Sequence, residues 1–218
     1  MRIQEHVALD ALTDDALGIL KAIGVDDVSI MHPPTPQPDL DMTETWRDVR
    51  RKVESHGMRF NNVGLRPDPS ITLARPDRDQ HVEGWIRLIR SMGAAGVPTL
   101  ITNLRGIGNF RTESAIGRGG ARYSTFDYAE FIADPPSHPD QQIDEATLRD
   151  NLAHFMRTLI PVAEEEGVVI TMHPDDPPRP EPLAGAARVL STLDDFERLF
   201  ELVPSASNSM LFCQGCVA

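Results

Sequence analysis

The sequence predicts an α/β protein built from six successive βα steps. Short apolar runs of strand length alternate with stretches of helical periodicity, the pattern of a parallel sheet rather than of a bundle or a sandwich. Fourteen of the 18 prolines gather in HPPTPQP, RPDPS, ADPPSHP and HPDDPPRPEP, at the ends of apolar runs, so they mark loops. Polar residues recur at the C-terminal ends of those runs, where a parallel α/β fold places its functional groups.

Taken in order, Arg2 to Ala8 is the first strand, and Thr13 is placed to cap a helix through Leu17, Leu20 and Ile23. That helix ends at Gly24, a residue type favoured just past a helix C-terminus. Val28 to Met31 is the second strand and runs into His32. After a proline-rich loop, a helix opens at Thr43 or Glu44 and passes through Trp46, Val49 and Val53 to Gly57. Met58 to Leu65 is the third strand, and Gln80 to Met92 carries Val82, Trp85, Ile86, Leu88 and Ile89 at helical spacing. Thr99 to Leu104 is the fourth strand. An excursion over about residues 105–144, rich in glycine, arginine and aromatic residues, precedes a helix from Leu148 to Glu166. Connections this long are usually either functional or disordered. Val168 to Met172 is the fifth strand, Thr192 or Asp194 opens a helix through Phe196, Leu199 and Phe200, and Ser209 to Phe212 is the sixth strand.

Six βα steps suit either a doubly wound sheet or most of an eight-fold barrel, and periodicity does not choose between them. No G-x-G-x-x-G joins the first strand to its helix, which removes the best support for a dinucleotide site. Gly117, Gly119 and Gly120 fall in the long excursion and are read as part of a flexible loop covering a substrate rather than as a phosphate cradle.

The chain has 218 residues, 40% hydrophobic and 25% charged, which is the make-up of a folded globular domain. Lysine and arginine number 21 against 33 aspartates and glutamates, so the net charge of −12 argues against nucleic acid or an anionic membrane as the main partner. An anionic small substrate remains open, since local arginines or a metal ion outweigh the global sign inside a cleft. No apolar run approaches the roughly 20 residues that cross a bilayer. The N-terminal MRIQEHVALDALTDD lacks the basic and apolar regions of a secretory leader, and the chain is read as cytoplasmic.

His173 and Cys213 are the sharpest candidate pair. Imidazole and thiolate both bind borderline divalent ions, and adjacent strand ends are close enough to share one. The bland alternatives are a loop histidine bonded to its neighbours and a small buried cysteine. Cys213 and Cys216 have C-x-x-C spacing, but no second pair completes a structural zinc site, and the context is wrong for a thioredoxin-like motif. In His173-Pro174-Asp175-Asp176-Pro177-Pro178-Arg179 a stiff loop sets two carboxylates and a guanidinium beside the candidate ligand, where they position a substrate or simply form turns. Asn103 and Arg105 follow the fourth strand, and Arg111, Arg118 and Arg122 lie in the excursion among aromatic residues, suiting a lid over a carboxylate or an oligomer contact. His32, Asn61 and Asn62 are further polar residues near strand ends. His6, His56, His81, His138 and His154 are read as structural or exposed.

The run from Asn151 to Gly215 resembles the central part of mannonate dehydratases. IPVAEE-x-G, HPDDPP, R-[IV]-x-ST-x-x-[DE]-[FL] and FC-x-G occur in that order and spacing, and the first 150 residues are compatible in layout. The resemblance implies a xylose-isomerase-like (β/α)₈ TIM barrel, here incomplete with about six βα units, so that residues 1–218 form one partial barrel domain with a long loop at about 105–144. It implies a hydro-lyase that removes water from D-mannonate or a related sugar acid to give a 2-keto-3-deoxy sugar acid. It also implies a divalent metal, Mn2+ or else Fe2+ or Mg2+, held by His173 and Cys213. Asn103, Arg105, Arg111, Asp175, Asp176 and Arg179 then bind substrate, and no catalytic base is assigned.

Family members continue through two more βα units that add a histidine and an acidic ligand. The expectation here is a homo-oligomer, or a second chain or missing remainder that completes the barrel. Where the family carries an Asp-Trp-Thr-Arg-Thr-like segment, this chain reads Gly108-Asn109-Phe110-Arg111-Thr112, which leaves the sugar acid open. The alternatives are a sugar isomerase or epimerase on the same barrel, and a non-catalytic truncated paralogue acting as a binding subunit.

Overall fold

A computed structural model describes residues 1–217. Six parallel strands form the main sheet: β1 (Gln4–Val7), β2 (Asp27–Met31), β3 (Arg59–Gly64), β4 (Thr99–Thr102), β7 (Val169–Met172) and β8 (Asn208–Met210). Between β4 and β7 the excursion forms a two-stranded antiparallel hairpin of β5 (Ala115–Ile116) and β6 (Arg122–Tyr123). The sheet order β1-β2-β3-β4-β7-β8 follows the chain without reversal. A doubly wound sheet reverses at a switch point, and this one does not, so the layout is that of a (β/α)₈ barrel over six of its strands.

The helices are α1 (Asp14–Ala22), α2 (Thr43–Ser55), α3 (Pro69–Thr72), α4 (Arg78–Ala95), α5 (Tyr128–Ala133), α6 (Glu145–Glu166), α7 (Leu193–Leu202) and α8 (Gln214–Val217). Their starts are written in short polar side chains. Thr13 accepts from Ala16 N–H at 3.2 Å, Asp144 from Thr147 N–H at 2.9 Å, and Thr192 forms a reciprocal capping box with Asp195. Gly96 and Gly167 end α4 and α6 in the left-handed region, at φ +71° and +66°, where a side chain would be strained. No helix among the described residues is long and apolar enough to cross a membrane.

One apolar core joins sheet and helices. Trp85 of α4 meets Phe155 of α6 edge-on at 5.2 Å, and Trp46 of α2 lies 6.0 Å from Phe60 of β3; all four side chains are buried. Truncating a side chain like Trp85 to alanine costs about 3–5 kcal/mol. At the start of β2, buried Asp27 receives a fork of hydrogen bonds from both Arg2 and Arg59, at 2.7–3.0 Å.

The observed strands are shorter than the apolar runs. The fourth ends at Thr102 and the sixth at Met210, so Arg105 and Cys213 sit three residues beyond strand ends, in loops free to turn toward the cleft. α4 and α6 begin earlier than their apolar stripes, at Arg78 and Glu145. The excursion is not a bare loop: Phe131 of α5 packs on Phe110 at 4.8 Å, and Ile107, Phe110 and Ile143 join the core. Gly119 and Gly120 occupy the exposed hairpin tip.

Candidate functional site

The candidate residues His173 and Cys213 lie on the backbone just past β7 and β8. His173 continues the pairing of β7 with β4, its N–H donating to Thr102 O at 2.7 Å. Its ring Nδ1 stands 2.6 Å from Pro174 O. A neutral ring donating there leaves Nε2 as the free lone pair, the orientation seen in metal-binding histidines. On the neighbouring strand, Leu211 N–H donates to Met172 O at 2.9 Å, and Cys213 N–H turns back to Leu211 O at 2.8 Å. Adjacent strand ends thus bring His173 and Cys213 together.

Cys216 joins them. The donor atoms of His173, Cys213 and Cys216 all lie within 4.8 Å of one another, and all three residues are half-buried. Donors around one tetrahedral ion stand about 3.6–3.8 Å apart, given bonds of about 2.3 Å to sulfur and 2.0–2.1 Å to nitrogen. Side-chain shifts of about 1 Å therefore gather the three, and one imidazole with two thiols fits a borderline divalent ion. Burial pushes the Cys216 thiol up to about 12, and the adjacent Cys213 group adds to the shift.

Beside this cluster a cleft of about 190 Å³ opens over the strand ends, lined by His32, Arg66, Asn103, Arg105, His173 and Asp176 among others. Arg105 is buried, and its hydrogen bonds go to Asn103 Oδ1 at 3.3 Å and Asp176 O at 3.2 Å rather than to a carboxylate. Burial pulls it down to about 10, and Arg66 across the cleft contributes to the shift. Two guanidiniums facing one cleft make a seat for an anion. Asp176 meanwhile accepts from Arg111 Nη2 at 2.5 Å and Nη1 at 3.1 Å, and from Asn109 at 3.1 Å. A larger concavity, about 720 Å³, lies elsewhere, between Leu73, Asp140, Glu145 and Gly185, and holds none of these strand-end groups.

Of the six expected substrate-binding residues, Asn103, Arg105 and Asp176 line the cleft, and Arg111 reaches it only through its pair with Asp176. Neither Asp175 nor Arg179 lines this cleft. Asp175 is buried, its carboxylate accepting from Val189 N–H at 3.1 Å, Leu190 N–H at 2.9 Å and Ser191 Oγ at 3.2 Å, with buried Arg188 3.8 Å away. Arg179 is half-buried, its Nε 3.1 Å from Glu181 and its guanidinium 4.1 Å over the Tyr128 ring. Asn61 and Asn62 also serve the fold: a register shift between β2 and β3 lets both donate to Gln4 Oε1 at 2.7 Å.

Sequence reasoning passed over Arg66 and set Cys216 aside. Arg66 is the second residue after β3 and was visible by the strand-end rule that singled out Arg105. Cys216 had its signal in the C-x-x-C spacing, whose meaning depended on where α8 begins.

The family model described as D-mannonate dehydratase (UxuA) matches residues 137–218. A mannonate dehydratase of Chromohalobacter salexigens is 45% identical over 93 residues, covering 43% of this chain and 22% of that protein. The crystal structure of mannonate dehydratase from Streptococcus suis serotype2 superposes with a TM-score of 0.85 at 25% identity, over 98% of this chain and 64% of that one. The D-psicose 3-epimerase of Clostridium cellulolyticum H10, solved with D-tagatose, gives 0.64 at 14% identity over 96% of this chain and 62% of that one, a likeness of fold alone. The chain thus spans less than two thirds of the length of these relatives. Its resemblance to mannonate dehydratases holds in sequence over the C-terminal part and in fold over nearly its whole length, and its fold is that of the xylose-isomerase-like TIM barrels.

Proposed function

We propose that this chain is the metal- and substrate-binding part of a mannonate-dehydratase-like hydro-lyase, with residues 1–218 as one partial barrel domain. The observation that carries the reading is the meeting of His173 and Cys213 at adjacent strand ends, beside a cleft that holds an arginine with no carboxylate partner. The sugar acid's carboxylate fits between Arg105 and Arg66. Asn103 offers its amide, and Asp176 its oxygens, to the substrate's hydroxyls. Arg111 holds Asp176 in place. The reaction breaks the C2–H and C3–OH bonds: the proton and hydroxyl leave as water, and the resulting enol tautomerises to the 2-keto-3-deoxy acid. A divalent ion on His173 and Cys213 would supply Lewis acidity to that elimination. Arg105, low in dielectric and fixed by Asn103, stabilises the charge that builds on the carboxylate as the C2 proton departs.

The remaining strands of the barrel belong at the edges of β1 and β8, supplied by the rest of a longer polypeptide, by a second copy or by another chain. Two free thiols suit a reducing compartment, and we place the protein in the cytoplasm.

The test is to purify the native protein with whatever chains accompany it, measure its metal content, and supply D-mannonate with Mn2+. The expected result is a 2-keto-3-deoxy acid, lost on chelation. Arg66→Gln should weaken use of the sugar acid by about 1.5–3 kcal/mol, a hydrogen bond to a charged group. No product from D-mannonate or its epimers with any divalent ion overturns the reading.

A further inference from the structure

His173 and Cys213 bring an imidazole and a thiol together at adjacent strand ends. The structure sets a third donor beside them. Cys216 N–H donates to Cys213 O at 2.9 Å and Val217 N–H to the same carbonyl at 3.1 Å, so the chain makes a helical turn between the two cysteines. Residues three apart on such a turn face the same way. With Nδ1 of His173 engaged by Pro174, its Nε2 and the two sulfur atoms are the donors left to converge. Among the described residues, no other three histidine, cysteine or acidic side chains are grouped closely enough to hold an ion.

We propose that Cys216 is a third protein ligand, giving the site one imidazole and two thiolates, so that it takes Zn2+, Fe2+ or Co2+ in preference to Mn2+ or Mg2+. The proposal rests on the reading that His173 and Cys213 hold the metal, and it changes the class of ion that reading implies. Thiolates are soft donors that select zinc and iron, whereas Mn2+ and Mg2+ favour carboxylate, carbonyl and water oxygen.

The experiment is a cobalt titration of the native protein, kept under reductant, and of its Cys216→Ser, Cys216→Ala, Cys213→Ser and His173→Gln variants. It reads the near-ultraviolet sulfur-to-cobalt charge-transfer band, and zinc displaces cobalt in a second titration. With two thiolates on the ion, Cys216→Ser and Cys216→Ala each remove about half of the band. Either change weakens zinc binding at least about tenfold, the loss typical of even an outer hydrogen-bonding partner of a ligand. An unchanged band and zinc affinity in both Cys216 variants, with loss in Cys213→Ser, overturns the third ligand and leaves the two-ligand reading standing. If Cys213→Ser and His173→Gln also bind cobalt as the parent does, the metal reading itself fails. A Cys213–Cys216 disulfide that persists in protein purified from cells, with no bound metal, likewise overturns the proposal.

Discussion

Replacing Asp175 by alanine removes the acceptor of three hydrogen bonds, from Val189 N–H, Leu190 N–H and Ser191 Oγ, and strips buried Arg188 of its counter-ion 3.8 Å away. The two side chains are 3% and 2% exposed, so water does not replace what is lost. Breaking a buried pair by deleting one partner costs about 3–5 kcal/mol. The lost hydrogen bonds are part of that cost rather than an addition to it. Domains are stable by only about 5–15 kcal/mol, so the variant is expected to sit near the edge of folding. Asp175→Asn keeps an acceptor oxygen in the same shape and loses only the charge, for about 1–3 kcal/mol. Adding Arg188→Met to Asp175→Asn removes the unpaired guanidinium and restores part of the loss, which a double-mutant cycle reads as coupling. The assay is urea unfolding followed by far-ultraviolet circular dichroism at neutral pH. With a slope of about 2–3 kcal/mol per molar, the alanine variant's midpoint falls by about 1–2 M. A midpoint within about 0.3 M of the parent, together with weakened sugar-acid binding, would refute the buried role and return Asp175 to the cleft.

Two further outcomes follow from the same geometry. Hydrogen bonds from Arg2 and Arg59 hold the Asp27 carboxyl far below the usual carboxylate range. A depressed native value means the stabilisation is complete above the unfolded value of about 3.9 and is lost as pH falls through the native one. Asp27→Asn should therefore be less stable than the parent at pH 7, with the gap closing below about pH 4, and parallel unfolding midpoints across that range would count against the pairing. Thr192→Ala deletes the cap of α7, whose Oγ accepts from Asp195 N–H at 3.2 Å and donates to the Asp195 carboxylate at 2.9 Å. The expected loss is about 1 kcal/mol, read from the same urea curves.

The elements of the fold were legible because their signals are local. Strand-length apolar runs, the capping residues Thr13 and Thr192, and the helical spacing of Val82, Trp85 and Ile89 each act within a few residues of their own position. The length of α6 was less visible, since Asp144 and the polar first turn that follows it carry no apolar stripe. The barrel layout, rather than a doubly wound sheet, needed the strand order or the resemblance, because both architectures have the same periodicity. His173 and Cys213 were found by the strand-end rule, and their meeting follows directly once β7 pairs with β8.

Sequence by itself therefore determined six βα units, the loops between them, and the strand ends that offer imidazole, thiol and guanidinium. Tertiary structure decided which of those groups meet. Asp175 and Asp176 are adjacent and chemically alike, yet one is spent on the backbone at 189–190 and the other faces Arg111 and the cleft. Arg66 and Arg105 lie on separate loops and share one cavity. Cys216 reaches His173 and Cys213 only because a helical turn begins at Gln214. Local propensity acts over a few residues, whereas a side chain's partner is set by packing between segments far apart in the chain, and that packing exists only once the sheet has formed.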